Sequence, residues 1–538
     1  MRAYRGEIYL TVDELSKKYF ERIDKRTKRL FAAVFIIGIL ANLPLIISGV
    51  NNPDGILAGS YITSYEWDIS LGRWGFVPFY MLNGGVVLPS LVTVISIFIF
   101  SLAVIMILQL FPIRSWVLRG VVGGILISFP SITQYMTYFY ISEAYASSFF
   151  LAVLAAYILE KKIIKRKFIR YSVVILILIF SMSIFQSMIG VTIAVWISIL
   201  LIDTLYTPFK NTLKKIATFT AIGIVSLLGY FIGIRIVCLL AGTTLSDYRG
   251  ISGASGVSLT EMFLSIPNLY RTFFKFYFTD TYYAYTQWGM HYLFGLLFVV
   301  FVIVEIGWSL KRLGENRAIE NVKNVALHWG LIVLIPPAFT AIGLLAVNTA
   351  IDFKMLPQMM VLLVTIICRL DYVTWTRKEI GKQIALVCIC GVLMGGNILM
   401  TNSICEGMIM KCNGAISLSN RILAAIDSCN EYTQDMPIAI LGEPQNEAWL
   451  NANGQYLEKI DSDTVSWGQF WSTEYNITQR SWSQFFNLYH GIILNLADDA
   501  KAQEICSTSE FKEMGVFPEK TSMQVIDGVL TIKLSDFM

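Results

Sequence analysis

The sequence repeats windows of about 20 predominantly apolar residues, and this feature constrains the fold more than any other. A helix needs about 20 such residues to cross roughly 30 Å of hydrocarbon, because every backbone amide must find its partner inside the helix. Hydrophobic residues make up 55% of the chain against 15% charged residues, and soluble domains do not reach this balance. We therefore predict a polytopic α-helical membrane protein.

The apolar windows predict about eleven transmembrane helices. They begin near Leu30, Val86, Trp116, Ser142, Ile169, Met188, Ile216, Met290, Val325, Met355 and Gly381. The run over residues 171–202 is long enough for one long helix or two short ones. Both of its flanks are basic, and cytoplasmic loops are the ones that collect Lys and Arg, so we predict two helices joined by a tight turn near SIFQS.

The charge of the loops predicts the orientation. Alternate loops, together with the N-terminal segment, hold 28 Lys and Arg residues, whereas the opposite loops hold five. The positive-inside rule then places the N-terminus in the cytoplasm, with the loops 51–85 and 242–289 and the C-terminal tail outside the cell membrane. No cleavable signal peptide is expected, since a polar segment precedes a first apolar run that is long enough to span.

Three regions are predicted. Residues 1–29 form a cytoplasmic amphipathic segment suited to the anionic inner leaflet, residues 30–400 form the transmembrane domain, and residues 401–538 form a small extracytoplasmic α/β or α+β domain. In that last domain MPIAILG is typical of a buried strand, and MQVIDGVLTIKL of a hairpin that turns at Asp527-Gly528. Helices are expected around SNRILAAIDSC and SQFFNLYHGIILNL, and four cysteines of this region could form disulfides: Cys405, Cys412, Cys429 and Cys506.

The densest chemistry follows the first apolar run, in NNPDGILAGSYITSYEWDISLGRWG at residues 51–75. NPDG is a turn signal that places the Asp54 carboxylate close to the membrane surface. If residues 66–79 form one helix, a step of about 100° per residue places Glu66 and Arg73 on one face and Asp68 on the far side. The structural alternative is a surface helix with solvated charges and its tryptophans in the membrane interface.

Further candidates lie near the same side of the membrane. Arg235 is a charge inside an apolar run, which is costly and marks a functional candidate or an internal salt bridge. Glu143, in YISEAY, is a candidate acid or a partner of Arg235. The loop 242–289 holds SDYRGISGASG, flexible enough for a mobile lid, and the aromatic YFTDTYYAYTQWG, suited to stacking on sugars or to the membrane interface.

Several of these stretches together resemble one family. PDG just past the first apolar run, SLGRWG about twenty residues later, and the ending FPEKTSMQVIDGVLTIKLSD are similar to the serotype-converting glucosyltransferases of the Gtr type II group, within the GT-C superfamily of membrane glycosyltransferases. The resemblance implies transfer of a hexose, glucose in that group, from a polyprenyl-phosphate carrier to a cell-surface polysaccharide such as O-antigen, on the outer face of the plasma membrane.

The resemblance also implies a carboxylate base in the first outer loop. Asp54 matches the position, but Pro53 stands where a second acid is often found, so Asp68 and Glu66 stay as alternatives. A carboxylate near the membrane can accept the proton of an acceptor hydroxyl, and cations can receive the phosphate leaving group. The substrate-binding candidates are Arg73, Trp74, Arg235, Arg249, Arg271, Lys275 and Glu143.

Other classes of function have less support in the sequence. Three scattered histidines do not make a metal site, although a divalent cation remains possible, and the small net charge of +4 gives no sign of a nucleic-acid partner. A transporter or flippase of lipid-linked sugars is one alternative, but inverted repeats are not visible. A polysaccharide polymerase or ligase is another.

Overall fold

The computed structural model describes residues 23–62, 64–246, 259–279, 290–315, 318–344, 351, 353–374, 379–442 and 478–536. Its first part is a bundle of α-helices: α1 (Lys25–Ala41), α2 (Leu43–Ser48), α3 (Pro53–Ala58), α4 (Glu66–Ser70), α5 (Val77–Leu82), α6 (Pro89–Leu110), α7 (Trp116–Ile127), α8 (Pro130–Met136), α9 (Ser142–Lys161), α10 (Lys167–Ile184), α11 (Ile189–Tyr206), α12 (Phe209–Ala241), α13 (Leu259–Phe278), α14 (Met290–Leu313), α15 (Ala318–Phe339), α16 (Met359–Thr374) and α17 (Ile380–Asp427).

Within the described residues, eight helices are long and apolar enough to cross a membrane. The number rises to ten if each of two bent pairs is one span: α1 with residues 43–58, bent by 63°, and α7 with α8, bent by 45°. The span predicted near Met355 falls on α16, which has 16 residues. The chain is therefore a polytopic helical protein of membrane type.

The predicted turn near SIFQS is present. α10 ends at Ile184, a short 3₁₀ helix covers Gln186–Met188, and α11 follows directly. The buried hydroxyl of Ser181, in the last turn of α10, donates to the carbonyl of Ser148 on α9 at 2.8 Å. Residues 171–202 therefore belong to two separate candidate spans, Lys167–Ile184 and Gln186–Tyr206.

The loop 242–289 contains a helix that the sequence analysis did not predict. α13 packs on α14 and α15, and the Tyr270 hydroxyl donates to the carbonyl of Val333 at 2.7 Å. The charged residues of α13 and its Pro267 interrupt the apolar pattern, so the sequence shows no continuous apolar run here that would predict a span. Most of the expected lid and most of the aromatic stretch lie outside the described residues.

A buried ion pair joins the helices at the end of the bundle opposite residues 51–85. Arg369 on α16 donates to both oxygens of Glu305 on α14, at 2.7 and 2.9 Å. His328 on α15 lies 3.2 Å from the same carboxylate and 2.7 Å from the hydroxyl of Thr204 on α11. Four helices are tied together here by groups that would be costly to bury alone.

The predicted boundary at residue 401 does not coincide with a break in the chain. α17 continues for 48 residues from the bundle to Asp427, and it contains most of the predicted helix SNRILAAIDSC. Cys405 and Cys412 are buried on this helix, and both are free thiols, as are Cys429 and Cys506. The disulfides considered for these four cysteines are therefore not formed in the structure.

The C-terminal residues form a small α/β unit. Its elements are β1 (Ile438–Leu441), α18 (Thr478–His490), α19 (Asp499–Cys506), α20 (Ser509–Glu513), β2 (Met523–Ile526) and β3 (Val529–Lys533). The sheet order is β1-β3-β2, with β1 parallel and β2 antiparallel to β3. The predicted strand and hairpin are confirmed, and Asp527 and Gly528 turn with φ of 46° and 75°. The expected second helix ends at His490, and the residues after Gly491 are extended.

Candidate active site

Residues 51–85, which we call the connector, form a closed loop at one end of the bundle. The amide of Ile62 donates to the carbonyl of Gly85 at 2.9 Å, and the amide of Val87 donates to that of Ser60 at 3.1 Å. These bonds pair the two sides of the loop at its base, and the helices α3, α4 and α5 lie between them or beside them in the chain. We call this end of the molecule the connector end, and the opposite end the basic end.

The NPDG turn signal begins a helix rather than an open turn. The side chain of Asn52 caps α3 by accepting from the Gly55 amide at 2.8 Å, and Pro53 occupies the first turn, where its missing N–H costs nothing. A β-carbon on Gly55 would clash with Oδ1 of Asn51, so a larger residue here would displace the Asn51 side chain. Asp54 consequently lies exposed in the first turn of a fixed helix.

The single helix considered over residues 66–79 is not formed, because the chain breaks into three short helices. α4 ends at Ser70, and Gly72 has φ of +74°, which glycine adopts without strain. A β-carbon there would also lie 2.7 Å from the hydroxyl of Tyr230 on α12. Gly75 fits as closely, since its β-carbon would clash with the hydroxyl of Ser183. The two glycines of SLGRWG seat the motif against α12 and α10.

The break brings Arg73 to Asp68 instead of to the face of Glu66. The Arg73 amide donates to the Asp68 carbonyl at 2.7 Å, and the charges of the two side chains attract each other. The Tyr80 hydroxyl donates to Oδ2 of Asp68 at 2.9 Å. Asp68 is thus a held carboxylate beside a cation, whereas Glu66 is exposed.

Arg73 is the centre of a group of interacting charges and phenols. Its charge interacts with the phenol oxygen of Tyr145, with Asp68, with the phenol oxygen of Tyr140 and with Asp54. The guanidinium carbon lies 5.4 Å from the centre of the Phe185 ring. Its Nε is buried and finds no hydrogen-bond partner among the described residues, so the described part of the protein leaves one donor of this cation unsatisfied.

A second cation, which was missing from the predicted site, belongs to the same group. The Lys354 ammonium lies 2.6 Å from the hydroxyl of Tyr138, and the Tyr135 hydroxyl donates to the Lys354 carbonyl. Tyr145 interacts electrostatically with both Arg73 and Lys354. Lys354 is one of only five Lys and Arg in the loops of this side, and that scarcity could have identified it. We call Asp54, Asp68, Arg73, Lys354, Tyr140 and Tyr145 the site cluster.

Burial raises the pKa of two members of the site cluster. It raises the pKa of Asp68 above its ordinary value of 3.8, and the attraction of Arg73 and the bond from Tyr80 only partly oppose the shift. Burial, reinforced by the negative charge of Asp54, raises the pKa of Tyr140 well above its usual range. Tyr140 therefore stays protonated and can donate a hydrogen bond near the two carboxylates.

Glu143 forms a separate polar contact. It is buried in the first turn of α9, where the Asn83 side chain donates to its Oε1, and its Oε2 has no hydrogen-bond partner among the described residues. The considered pairing of Glu143 with Arg235 is not observed, since Arg235 is exposed on α12. Glu143 therefore contacts the end of the connector and not a cation.

The remaining predicted residues are spread over the connector end. Trp74 packs beside Phe180 with the ring centres 6.3 Å apart, and it lies against Gly233 of α12. Arg271 is exposed and Lys275 half-buried on α13. Arg249 lies outside the described residues. In the described part of the chain, no group of three or more His, Cys, Asp or Glu side chains could hold a metal ion.

Comparison with known protein families identifies a match over much of the chain. The family model described as glucosyl transferase GtrII matches residues 60–365, more than half of the chain. The matched segment contains Asp68, Arg73, Glu143 and Lys354, and it begins six residues after Asp54. No curated protein and no solved structure matches the chain.

Proposed function

The chain belongs to the GtrII family of glucosyl transferases, and from this premise we propose that it moves glucose from a polyprenyl-phosphate carrier to a cell-surface polysaccharide. The observation that carries the proposal is the site cluster, where the charges of two carboxylates and two cations act on one another or on the same tyrosine at one end of a membrane-type bundle. Proton acceptance and phosphate stabilisation are the two tasks of this reaction.

We assign the connector end to the extracytoplasmic side of the plasma membrane. The distribution of 28 against five Lys and Arg residues supports this assignment, since the connector is one of the loops that together hold only five. The N-terminus is then cytoplasmic, and the C-terminal unit stands outside. A GT-C-like arrangement of about eleven spans, with α16 as a short and buried one, fits this orientation.

Asp54 is the base in this proposal. An acceptor hydroxyl attacks C1 of the glucosyl residue, the bond from C1 to the phosphate oxygen breaks with its electron pair on that oxygen, and Asp54 takes the hydroxyl proton. A single displacement of this kind inverts the configuration at C1. Asp54 is exposed, so a large acceptor can reach it from outside the bundle.

Asp68 has a different task. One of its oxygens accepts from Tyr80, and it attracts Arg73, so its contacts suit holding the cation in place. Glu66 is exposed, and the structure shows no side-chain contact that would hold it in one position among the described residues. Of the three acids of the connector, Asp54 is therefore the proposed base, Asp68 holds Arg73, and Glu66 has no role in the reaction.

The two cations receive the phosphate. Arg73 carries a buried Nε without a described hydrogen-bond partner, and Lys354 is held beside Tyr138. Because both act on Tyr145, a phosphate near this phenol would lie in the field of two positive charges. Cations that face the developing charge lower the energy of the transition state.

The lipid donor approaches from the membrane side of α12. Arg235 is exposed between the exposed apolar residues Ile232 and Ile236. Twenty residues separate it from Lys215 at the basic end, which is about 30 Å of helix, the thickness of the hydrocarbon. Arg235 therefore suits the headgroup level, where it can bind a lipid phosphate, while Tyr230 and Gly233 of the same helix contact Gly72 and Trp74 beside Arg73.

The membership in a glucosyl transferase family favours transfer over transport and over polymerisation. A transporter of lipid-linked sugars has no need for a base, so its activity should survive the loss of Asp54. A polymerase or ligase would lengthen or transfer whole glycans and would not add a single hexose.

The test uses purified protein in lipid nanodiscs with polyprenyl-phosphate glucose, labelled in the sugar, and the surface polysaccharide as acceptor. We expect Asp54→Asn to lower kcat by about 100-fold or more, the usual contribution of a general base. Glu66→Gln, which removes a charge from the same connector, should stay within about twofold of the wild type. Full activity of Asp54→Asn would overturn the assignment of the base, and the absence of transfer by the wild type would overturn the proposed reaction.

A further inference from the structure

We infer that the C-terminal unit positions the proposed base, because its helix α18 holds both ends of α3, the helix that carries Asp54. This inference rests on the proposed function and gives the C-terminal unit a part in that reaction. It makes Tyr489 and Gln484 positioning residues, since neither reaches the reacting atoms.

Tyr489 holds the chain before α3. The amide of Asn51 donates to the Tyr489 hydroxyl at 3.4 Å. Asn51 in turn accepts from the amide of Asn52 at 3.1 Å, and Asn52 is the cap of α3. The Tyr489 hydroxyl of the C-terminal unit therefore contacts Asn51, whose side chain in turn binds the capping residue Asn52.

Gln484 holds the chain after α3. Gly59 ends that helix with φ of +74°, and a β-carbon on it would lie 2.5 Å from the side-chain oxygen of Gln484. The backbone of α3 thus ends directly against the amide of Gln484. Only glycine permits both the conformation and the approach.

α18 is itself fixed on two sides. Its Gln479 side chain donates to the carbonyl of Ile440 in β1 at 2.7 Å and accepts from the amide of the same residue at 3.2 Å. Its last residue, His490, lies 2.6 Å from the hydroxyl of Ser419 on α17. Tyr489 also interacts with the Cys412 thiol of α17. Together these contacts join α17, the sheet and α18 into a frame. This frame contacts α3, the helix that carries Asp54.

A frame is needed because α3 is too short to fix Asp54 alone. α3 has six residues, fewer than an isolated helix needs to form in water. A catalytic group that moves by about 1 Å can lose about 100-fold in rate, so the contacts at both ends of α3 have a direct consequence for kcat.

The test compares Tyr489→Phe, Gln484→Ala and their combination in the full-length protein, in nanodiscs, with polyprenyl-phosphate glucose. We expect the double variant to lower kcat at least 10-fold, with the KM for the donor and the melting temperature within error of the wild type. Asn487→Ala, an exposed position on the same helix, serves as the matched control and should keep the wild-type kcat.

The same variants in the Asp54→Asn background separate the two proposals. If α18 acts through Asp54, the double variant should lower the residual rate of Asp54→Asn by less than twofold. A further 10-fold loss there, or a wild-type kcat of the double variant in the parent protein, would overturn the inference and leave the proposed reaction in place. If Asp54→Asn itself is fully active, the assignment of the base fails first.

Discussion

At the scale of residues, the charged side chains of the candidate site are held in place by neutral hydrogen-bonding groups as much as by opposite charges. Asp68 is held by a phenol and attracts Arg73, Lys354 is held by Tyr138, and Asp54 is presented by a capped and proline-initiated helix. In a site of low polarity each of these contacts matters more than it would in water. Removing one partner should therefore be costly.

The raised pKa of Asp68 predicts the pH dependence of activity. Its ionised form attracts Arg73, and this form is lost when the pH falls through a pKa that burial has raised above 3.8. We expect kcat of the wild type to fall on the acidic side of that raised value. The measurement is the pH profile of kcat in nanodiscs. In Asp68→Asn the plateau should be lower and the acidic limb should change, because only the ionisation of the base Asp54 then remains, and an unchanged acidic limb would refute the assignment.

Removing the Lys354 charge predicts a loss in the chemical step. Lys354→Met should lower kcat by roughly 100-fold, the usual effect of deleting one group that stabilises an oxyanion. Lys520→Met, which removes an exposed cation from the C-terminal unit, should have no effect. Single-turnover rates with saturating donor measure the difference. A Lys354→Met enzyme with an unchanged rate would show that Arg73 serves the phosphate without Lys354.

The sequence predicts some of these residues and not others, for physical reasons. Acids next to a membrane and scarce cations stand out in composition, so Asp54, Asp68 and Arg73 can be selected from the order of residues alone. Lys354 is an equally scarce cation and could have been selected as a candidate, but 281 residues separate it from Arg73 in the chain, so only the fold shows that the two act on the same tyrosine. Tyr140 and Tyr145 were hidden for the same reason among the 26 tyrosines.

At the scale of elements, breaks in helices determine where the chemistry lies. Gly72 breaks the helix predicted over residues 66–79 and turns Arg73 toward Asp68. The helical periodicity of the sequence continues through Gly72 and does not reveal this break. The break depends on the packing of α12 against Gly72, and this tertiary contact leaves no signal in the local sequence. The turn near SIFQS was predictable, since it left a signal in the charges of both flanks.

The position of Arg235 on α12 predicts an effect on donor binding. Arg235→Gln should raise the KM for the long-chain donor about fivefold to tenfold while kcat stays the same, because the residue is exposed and lies outside the site cluster. Lys214→Gln, an exposed charge at the basic end of the same helix, is the control. Steady-state kinetics in nanodiscs of neutral lipid measure both. A rise that appears only when anionic phospholipid is present would assign Arg235 to bulk lipid instead of the donor.

At the scale of the whole molecule, the two ends of the bundle have different tasks. The basic end is tied by the buried contacts of Glu305, Arg369, His328 and Thr204. The connector end carries the site cluster and the C-terminal unit, which α17 joins to the bundle without a break. The polytopic plan and the hairpin of the last unit followed from composition and turn residues. The continuity of α17 did not, since its polar second half resembles the start of a separate domain.

The central claim is that this molecule adds glucose to a surface polysaccharide from the outer side of the membrane. The most direct measurement is the sugar composition and linkage of the surface polysaccharide from three cell lines: one with the wild-type chain, one without it, and one with Asp54→Asn at equal expression. We predict an additional glucosyl branch in the first and its absence in the other two. An identical polysaccharide in all three, or a branch that persists with Asp54→Asn, would contradict the account.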